Sequence, residues 1–387
     1  MDVLVIGAGA AGTMAAWRLA DTGHQVTVLE QFKIDHDRGS SFGESRIVRR
    51  VYTDPLYTGL MAEAYELWDE LQEKWRNSCP SGPDSDEAEL INRSGGLFFG
   101  PIGNPDVVAA QSALQQNGVE YENLTAEDVH ARFPEFTLPP NTLALFEPTM
   151  GFARASNAIG AAAFFARMTG VSIIEDTAVT RIEQVAGGLL VTAENGQQYR
   201  VDRVLITAGA WTIRFLAQPG TDRLKITRQV YIHLAQHSET DRFVAGRFPT
   251  WIDIGTNMYG FPRIGKSEGV KIASHDRGIA VDPESVDRSV SPKELENILR
   301  YASSHFEGLT DKVVYVKVCL YTNTPDEDFI IDEAPNLPGA YIISACSGHG
   351  FKFAPLIGQI GAELVHDGAQ NRDLSRFRLS RLRTSIV

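Results

Sequence analysis

A chain of 387 residues can bury a substantial core and divide into two structural domains. Its hydrophobic fraction of 43% and charged fraction of 22% are those of an ordinary soluble protein, and a formal charge of −13 argues against a nucleic-acid partner, whose phosphates it would repel. No apolar run approaches the roughly 18 residues of a membrane span, no signal peptide is visible, and the cysteines, Cys79, Cys319 and Cys346, suit a reducing compartment, so a cytoplasmic globular protein with no membrane contact is expected.

Residues 2–6, Asp-Val-Leu-Val-Ile, form an apolar run that predicts a buried parallel strand. A helix from about Ala10 to Thr22, closed by Gly23, and a strand from Gln25 to Glu30 complete a βαβ unit. Leu60, Ala64, Leu67, Leu71 and Trp75 recur at helical spacing within 53–76, and 78–89, rich in Ser, Pro, Gly and acids, predicts an exposed loop. A strand over 95–100 and helices over 106–117 and 157–168 lead to strands around 171–174, 178–185, 189–192 and 203–207. Further strands are expected over 228–234, 258–261, 270–275 and 313–321. The chain closes with a strand over 340–345, a glycine turn and a helix from about Phe351 to His366, and the basic stretch Arg372 to Arg383 is expected to be a solvated tail. Because βα pieces at both ends enclose β-rich segments, the nucleotide-binding domain is expected to be discontinuous.

Gly7-Ala8-Gly9-Ala10-Ala11-Gly12 stands between the first strand and the first helix, where a dinucleotide fingerprint must stand. The first glycine permits the tight turn, the second lets a pyrophosphate approach the backbone, and the third allows close helix–strand packing, with the helix N-terminus supplying donors. Glu30 ends the second strand, eighteen positions after Gly12 (30 − 12), placed to accept from a ribose hydroxyl. FAD and NAD both remain open on this motif. Thr207-Ala208-Gly209-Ala210-Trp211 resembles the second glycine turn of FAD-dependent oxidoreductases of the glutathione-reductase type, which favours FAD.

A glycine-serine loop, Gly39-Ser40-Ser41-Phe42-Gly43, precedes Arg46, Arg49 and Arg50, which a helical turn would place on one side for bidentate contacts to carboxylates or phosphates. Period-2 alternation over 313–321 sets Lys317, Cys319 and Tyr321 on one strand face, and Lys271 and His275 share a face of the 270–275 strand. Ser347-Gly348-His349-Gly350-Phe351-Lys352-Phe353 follows a buried strand and opens the last helix, its two glycines allowing close backbone approach to a ligand.

Taken together these segments resemble the monomeric sarcosine oxidase family, which includes N-methyltryptophan, pipecolate and fructosyl-amino-acid oxidases, nearly end to end. The most specific parts are Cys319-Leu320-Tyr321-Thr322, the run Thr324-Pro325-Asp326-Glu327-Asp328-Phe329-Ile330-Ile331-Asp332, and Ser347 to Phe353. The resemblance implies an α/β fold with a Rossmann-type, glutathione-reductase-like FAD-binding domain over 1–82, 146–220 and 322–387, and a β-sheet-rich α+β substrate domain over 83–145 and 221–321. It also implies covalent FAD on Cys319, an oxygen-activating Lys271, a carboxylate clamp of Arg49 and Lys352, pocket residues Tyr259, Tyr321 and His275, and Arg46 near the flavin. Ser40, Ser41, Gly348 and Gly350 fall in the flavin-binding loops, and no metal is expected. Several members carry two histidines where this chain has Ser41 and Phe42, and the acidic stretch Asp84 to Glu89 is an insertion.

The implied chemistry is oxidation of a small secondary amino acid to an imine by a monomeric enzyme, with dioxygen reduced to hydrogen peroxide and Lys271 kept cationic. Alternatives are an FAD-dependent dehydrogenase of an amino or 2-hydroxy acid with another acceptor, a fructosyl-amino-acid oxidase, and a non-catalytic flavin-binding regulator.

Overall fold

The computed structural model describes residues 1–216, 223–237, 241–265, 269–368 and 373–383. The N-terminal apolar run forms the strand Asp2–Ile6. Val3 and Val5 point into a core shared with the helices Ala10–Asp21, Ala155–Met168 and Ala354–Asp367, while Leu4 and Ile6 point into a second core beneath a three-stranded sheet. Both faces are therefore dry, which is why the run is apolar without alternation. Each such Val, Leu or Ile contributes roughly 1.5–3 kcal/mol on burial.

Six strands form this first sheet in the order Ile330–Glu333, Ala340–Ser344, Arg203–Ile206, Asp2–Ile6, Gln25–Leu29, Ser172–Ile174. All neighbours are parallel except Ile330–Glu333. The smaller antiparallel sheet, Val179–Val185, Gly188–Ala193 and Gln198–Val201, covers one of its faces.

The other large sheet has nine strands. Its long strand Lys225–Gln236 pairs antiparallel with Leu309–Asn323 and with Val270–Ser274, and the order runs on through Met258–Gly260, Thr250–Asp253, Gly96–Pro101 and Thr142–Glu147 to Glu122–Thr125. The helix Pro292–His305 covers it, burying Ile298, Tyr301 and Ala302 against Trp251, Phe136, Phe248 and Phe306. A capping box between Ser291 and Glu294, followed by Pro292, starts that helix and was its legible signal; the apolar stripe itself is narrow.

Three expectations change. Arg46–Val48 is a strand paired with Gly151–Ala153, because the β-branched pair Ile47-Val48 finds a pleated partner. The last helix starts at Ala354, after a separate short turn Phe351–Phe353 that carries Lys352, with Pro355 in its first turn. The 78–89 stretch is largely exposed, as expected, and is anchored near its end: Trp75 Nε1 donates to the Glu87 carbonyl at 2.8 Å and Gln72 Nε2 to that of Ala88 at 2.7 Å. The basic tail is also held rather than solvated, Arg376 to Asp328 at 2.7 Å, Arg378 to Asp332 at 2.7 Å and Arg381 to Asp326 at 2.8 Å. Three acids in the 326–332 segment lie opposite the three arginines, while Arg372 lies outside the described residues.

Candidate active site

Gly7, Gly9, Ala10 and Ala11 line a long cleft beside the first parallel strands, with Thr207 to Trp211 also in its wall. Gly12 acts from beneath. A Cβ there would stand 1.9 Å from the Gly7 carbonyl oxygen and 2.6 Å from Thr207 Oγ1, so glycine alone lets the helix begin this close to the strand. Ser41 Oγ accepts from the Ala10 amide at 3.2 Å. Glu30 is buried, its Oε2 accepting from Ala8 N at 2.7 Å and its Oε1 from Phe32 N at 2.9 Å. Burial raises its pKa and these donors oppose the rise. A glycine-walled cleft ending at a helix start, with a buried carboxylate beside it, fits a dinucleotide: diphosphate at the helix N-terminus, ribose hydroxyl at Glu30. Ser40, Ser41, Cys346 and Gly350 continue the lining.

Ser40, Arg46, Tyr321, Gly348 and Phe351 belong both to this cleft and to a second cavity, which adds Arg49, Tyr259, Lys271, His275, Cys319 and Lys352. Strand Arg46–Val48 delivers Arg46, and Arg49 follows just beyond its end; Arg50 diverges, its amide donating to Glu147 Oε2 at 2.9 Å. Arg46 Nη2 donates to the carbonyls of Ser40 and Phe42 at 2.7 and 2.6 Å, holding the glycine-serine loop. Lys317, grouped with Cys319 and Tyr321 by strand alternation, instead pairs with Asp37 and does not line the cavity.

Two basic side chains stand in the cavity wall. Lys352 Nζ donates to Tyr52 Oη at 2.9 Å and to the His349 carbonyl at 2.6 Å, and the Arg49 guanidinium stacks 4.2 Å above the Tyr52 ring. Among the described residues neither forms an ion pair with a carboxylate, and Arg49 Nε is buried with no hydrogen-bond partner. Burial, and then Arg49, hold the Lys352 pKa well below the usual lysine range. The site is thus built to receive an anion.

Tyr321 Oη meets His275 Nδ1 at 3.3 Å. Gly348 makes this possible: at φ +75°, a Cβ would stand 2.4 Å from Tyr321 Cε2 and 2.5 Å from His275 Cε1. Burial lowers the His275 pKa to about 4, with Arg49 and Lys352 adding to it, and burial pushes that of Tyr259 up to about 12. Lys271 Nζ donates to the Ser45 carbonyl at 3.1 Å and to Ser45 Oγ at 3.3 Å, and stands 4.3 Å from the Tyr231 ring centre. Burial, then Arg46, lowers its pKa to about 7, so the cation expected from sequence is near half-protonation at neutrality. Burial raises the Cys319 thiol, with Arg46 and Lys271 pulling the other way.

The family model described as FAD dependent oxidoreductase (DAO) matches residues 2–364. The chain belongs to this family. It is 33% identical to monomeric sarcosine oxidase of Streptomyces avermitilis, over 98% of this chain and 97% of that protein. It is 29% identical to N-methyl-L-tryptophan oxidase of Escherichia coli, over 98% of this chain and 99% of that one. Among solved structures, NikD, an unusual amino acid oxidase essential for nikkomycin biosynthesis, superposes with a TM-score of 0.83 at 23% identity, covering 97% of this chain and 96% of the other, which shows the shared fold.

In this FAD dependent oxidoreductase the glycine-walled cleft has the lining that a flavin nucleotide requires, and the second cavity adjoins it. Sequence reasoning missed Ser45, Tyr52, Tyr231, Asn257 and His349. Tyr52 and His349 meet at 3.2 Å from opposite parts of the chain, and both contact Lys352. His349 was legible inside the Gly348–Gly350 turn; Tyr52 and Tyr231 carry no local signal, being aromatic residues in a helix approach and a strand.

Proposed function

We propose that this flavoenzyme oxidises a small secondary amino acid, N-methylated or cyclic, at its C–N bond to an imine, with dioxygen as acceptor and hydrogen peroxide as product. The observation that carries this reading is the pair of half-buried Arg49 and buried Lys352, without carboxylate partners among the described residues, in a cavity that joins the nucleotide cleft. Likeness to a sarcosine oxidase and an N-methyl-L-tryptophan oxidase supports it. Bound FAD supplies the two-electron acceptor for the amine and the donor to dioxygen.

Arg49 and Lys352 hold the substrate carboxylate, which fixes the amino acid's orientation. Tyr259, Tyr321 and His275 wall the amine end. With the His275 pKa near 4 and that of Tyr259 near 12, these groups are neutral at pH 7. An ammonium placed among neutral walls and near the Arg49 guanidinium is disfavoured, so the site draws the substrate toward the free amine that reacts. Lys271, on the side of Ser45, offers its proton-bearing Nζ to the negative charge that develops as dioxygen is reduced. Cys319 attaches the FAD through a thioether; its strand position beside Arg46 and Lys271 supports this. The enzyme works as a monomer in the cytoplasm, and among the described residues no helix is long and apolar enough to cross a membrane.

The test is a panel of N-methylglycine, N-methyl aromatic amino acids and cyclic imino acids with peroxide readout under air, beside the same amines lacking the carboxylate. Peroxide from the amino acids, and little from the decarboxylated amines, is expected. Turnover only with an artificial acceptor under argon would make the enzyme a dehydrogenase. Acid-precipitated protein should stay yellow, and the Cys319→Ser protein should release its flavin; free FAD in the unaltered protein's supernatant rules out the thioether.

A further inference from the structure

Lys271 borders two cavities. One is the substrate cavity; the other lies beyond the Tyr231 ring and is lined by Phe42, Gly43, the exposed Glu44, Tyr231, His233, Val314 and Tyr315 together with Lys271. Among the described lining residues, Tyr231 and Lys271 are common to both cavities. Strand register explains the arrangement. His233 lies opposite Lys271 on one neighbouring strand and opposite Tyr315 on the other, so these side chains, with Tyr231 two positions away, share one face of the sheet. Ring centres of His233 and Tyr315 stand 5.1 Å apart and those of Tyr231 and Tyr315 6.1 Å apart. Tyr315 is 40% exposed and Tyr231 5%, so the cavity runs from the surface at Tyr315 to a buried end at Tyr231 and Lys271.

We propose that this cavity is the passage by which dioxygen reaches Lys271 and hydrogen peroxide leaves, with the Tyr231 ring as its inner constriction. The inference rests on the oxidase reading above and adds a route that bypasses the amine. Apart from the exposed Glu44 carboxylate, its wall suits small neutral molecules: Phe42, Val314 and the tyrosine rings give an apolar path for dioxygen, and the tyrosine hydroxyls give hydrogen-bond partners for peroxide. Burial, then Lys271, lowers the His233 pKa to about 4, so it adds no charge at neutral pH. A zwitterionic amino acid finds neither Arg49 nor Lys352 here and meets the Tyr231 ring at the narrow end. Dioxygen and amine can therefore approach from opposite sides of Lys271.

Val314 lines this cavity and not the substrate cavity, so Val314→Trp fills the passage without touching the clamp. Anaerobic reduction of the bound flavin by an N-methyl amino acid, and reoxidation of that flavin by dioxygen, are measured first in the unaltered protein and test the oxidase reading alone; reduction in Val314→Trp should match the unaltered protein. The second-order rate of reoxidation by dioxygen should then fall by roughly tenfold or more in Val314→Trp and not fall in Val314→Ala. Independently, crystals of the unaltered holoenzyme pressurised with krypton should show a gas atom between Tyr231 and Val314, a readout that needs neither turnover nor a variant that folds. Unchanged reoxidation in a flavin-loaded Val314→Trp protein, or no gas atom in that cavity, overturns the proposal while leaving the amine chemistry standing.

Discussion

Lys271 shows how much one buried cation asks of its surroundings. Its Nζ has two oxygen acceptors, both on Ser45, and aromatic rings of Tyr231 and Phe261 at 4.3 and 4.8 Å, but no carboxylate near enough to pair among the described residues. Burial brings its pKa to about 7 from the ordinary 10.5. Between those values the unfolded chain binds a proton that the folded one lacks, so this residue makes stability rise with pH across that window and is most costly below it. Lys271→Met keeps the stem and removes the charge. At pH 6 it should be more stable than the parent by roughly 2–4 kcal/mol, with the gap closing toward pH 10, as read from denaturant midpoints. In stopped flow the same variant should keep flavin reduction by substrate within a few-fold while reoxidation by dioxygen slows by orders of magnitude. The parent's reoxidation should decline as pH rises through 7 or somewhat above, since any anion drawn to the ammonium raises its pKa. Intact reoxidation with crippled reduction would move Lys271 to the amine step.

The element that ties the site together is the C-terminal segment. Arg376 reaches Asp328 at 2.7 Å and Asp54 at 2.5 Å, and Asp54 caps the helix Pro55–Ser78 by accepting from the Leu56 amide. Asp328 also accepts from Tyr57 Oη at 2.8 Å; Tyr57 stacks on Tyr52 at 5.2 Å, and Tyr52 meets Lys352. One arginine thus joins the tail, the helix start and the stretch that follows the Cys319 strand. Asp328→Ala strips the partner from buried Tyr57 and from Arg376, so it should cost about 2–4 kcal/mol. Arg376→Ala, whose side chain is 41% exposed, should cost about 1 kcal/mol or less. Because the chain of contacts ends on Lys352, Asp328→Ala should raise KM for carboxylate substrates more than it lowers kcat. An unchanged KM with the expected stability loss would make the segment a staple with no influence on the clamp. The acidic 326–332 run and the basic tail were both visible in sequence, yet their pairing was not, since charge runs facing each other look the same on paper as two solvated faces.

Across the whole molecule, histidines with lowered pKa values set the acid limit. Burial lowers the pKa values of His36, His233 and His275 to about 4, while the unfolded chain titrates near 6.5. The unfolded state therefore binds more protons between 6.5 and 4, and stability should fall steadily as pH drops through that window. Glu30 and Glu147, whose pKa values burial raises, act with the opposite sign near the bottom of it and soften the slope. Denaturant midpoints of the holoenzyme at pH 7.5, 6, 5 and 4.5 check this, and a flat profile from 7.5 to 5 would mean the histidines are charged in the fold.

At the same scale, local chemistry and long-range packing divide the molecule between them. The glycine fingerprint, Glu30, the strand over Cys319 and Tyr321, and the Ser347–Phe353 turn were legible because each is written in neighbouring residues, where steric need for glycine or a period of two shows directly. Helix Pro292–His305 went unread although its Ser291–Glu294 cap is written in sequence, and the 46–50 arginines suggested a helical turn because spacing alone cannot report the partner strand Gly151–Ala153. Tertiary structure decided that Arg50 leaves the site while Arg49 stays, that Lys317 is taken by Asp37, and that Tyr52 and His349 meet beneath Lys352. It also decided the protonation states. Lysine chemistry is a property of residue type, but a pKa near 7 for Lys271 comes from burial under strands far apart in the chain, and no local pattern encodes the loss of water that burial brings.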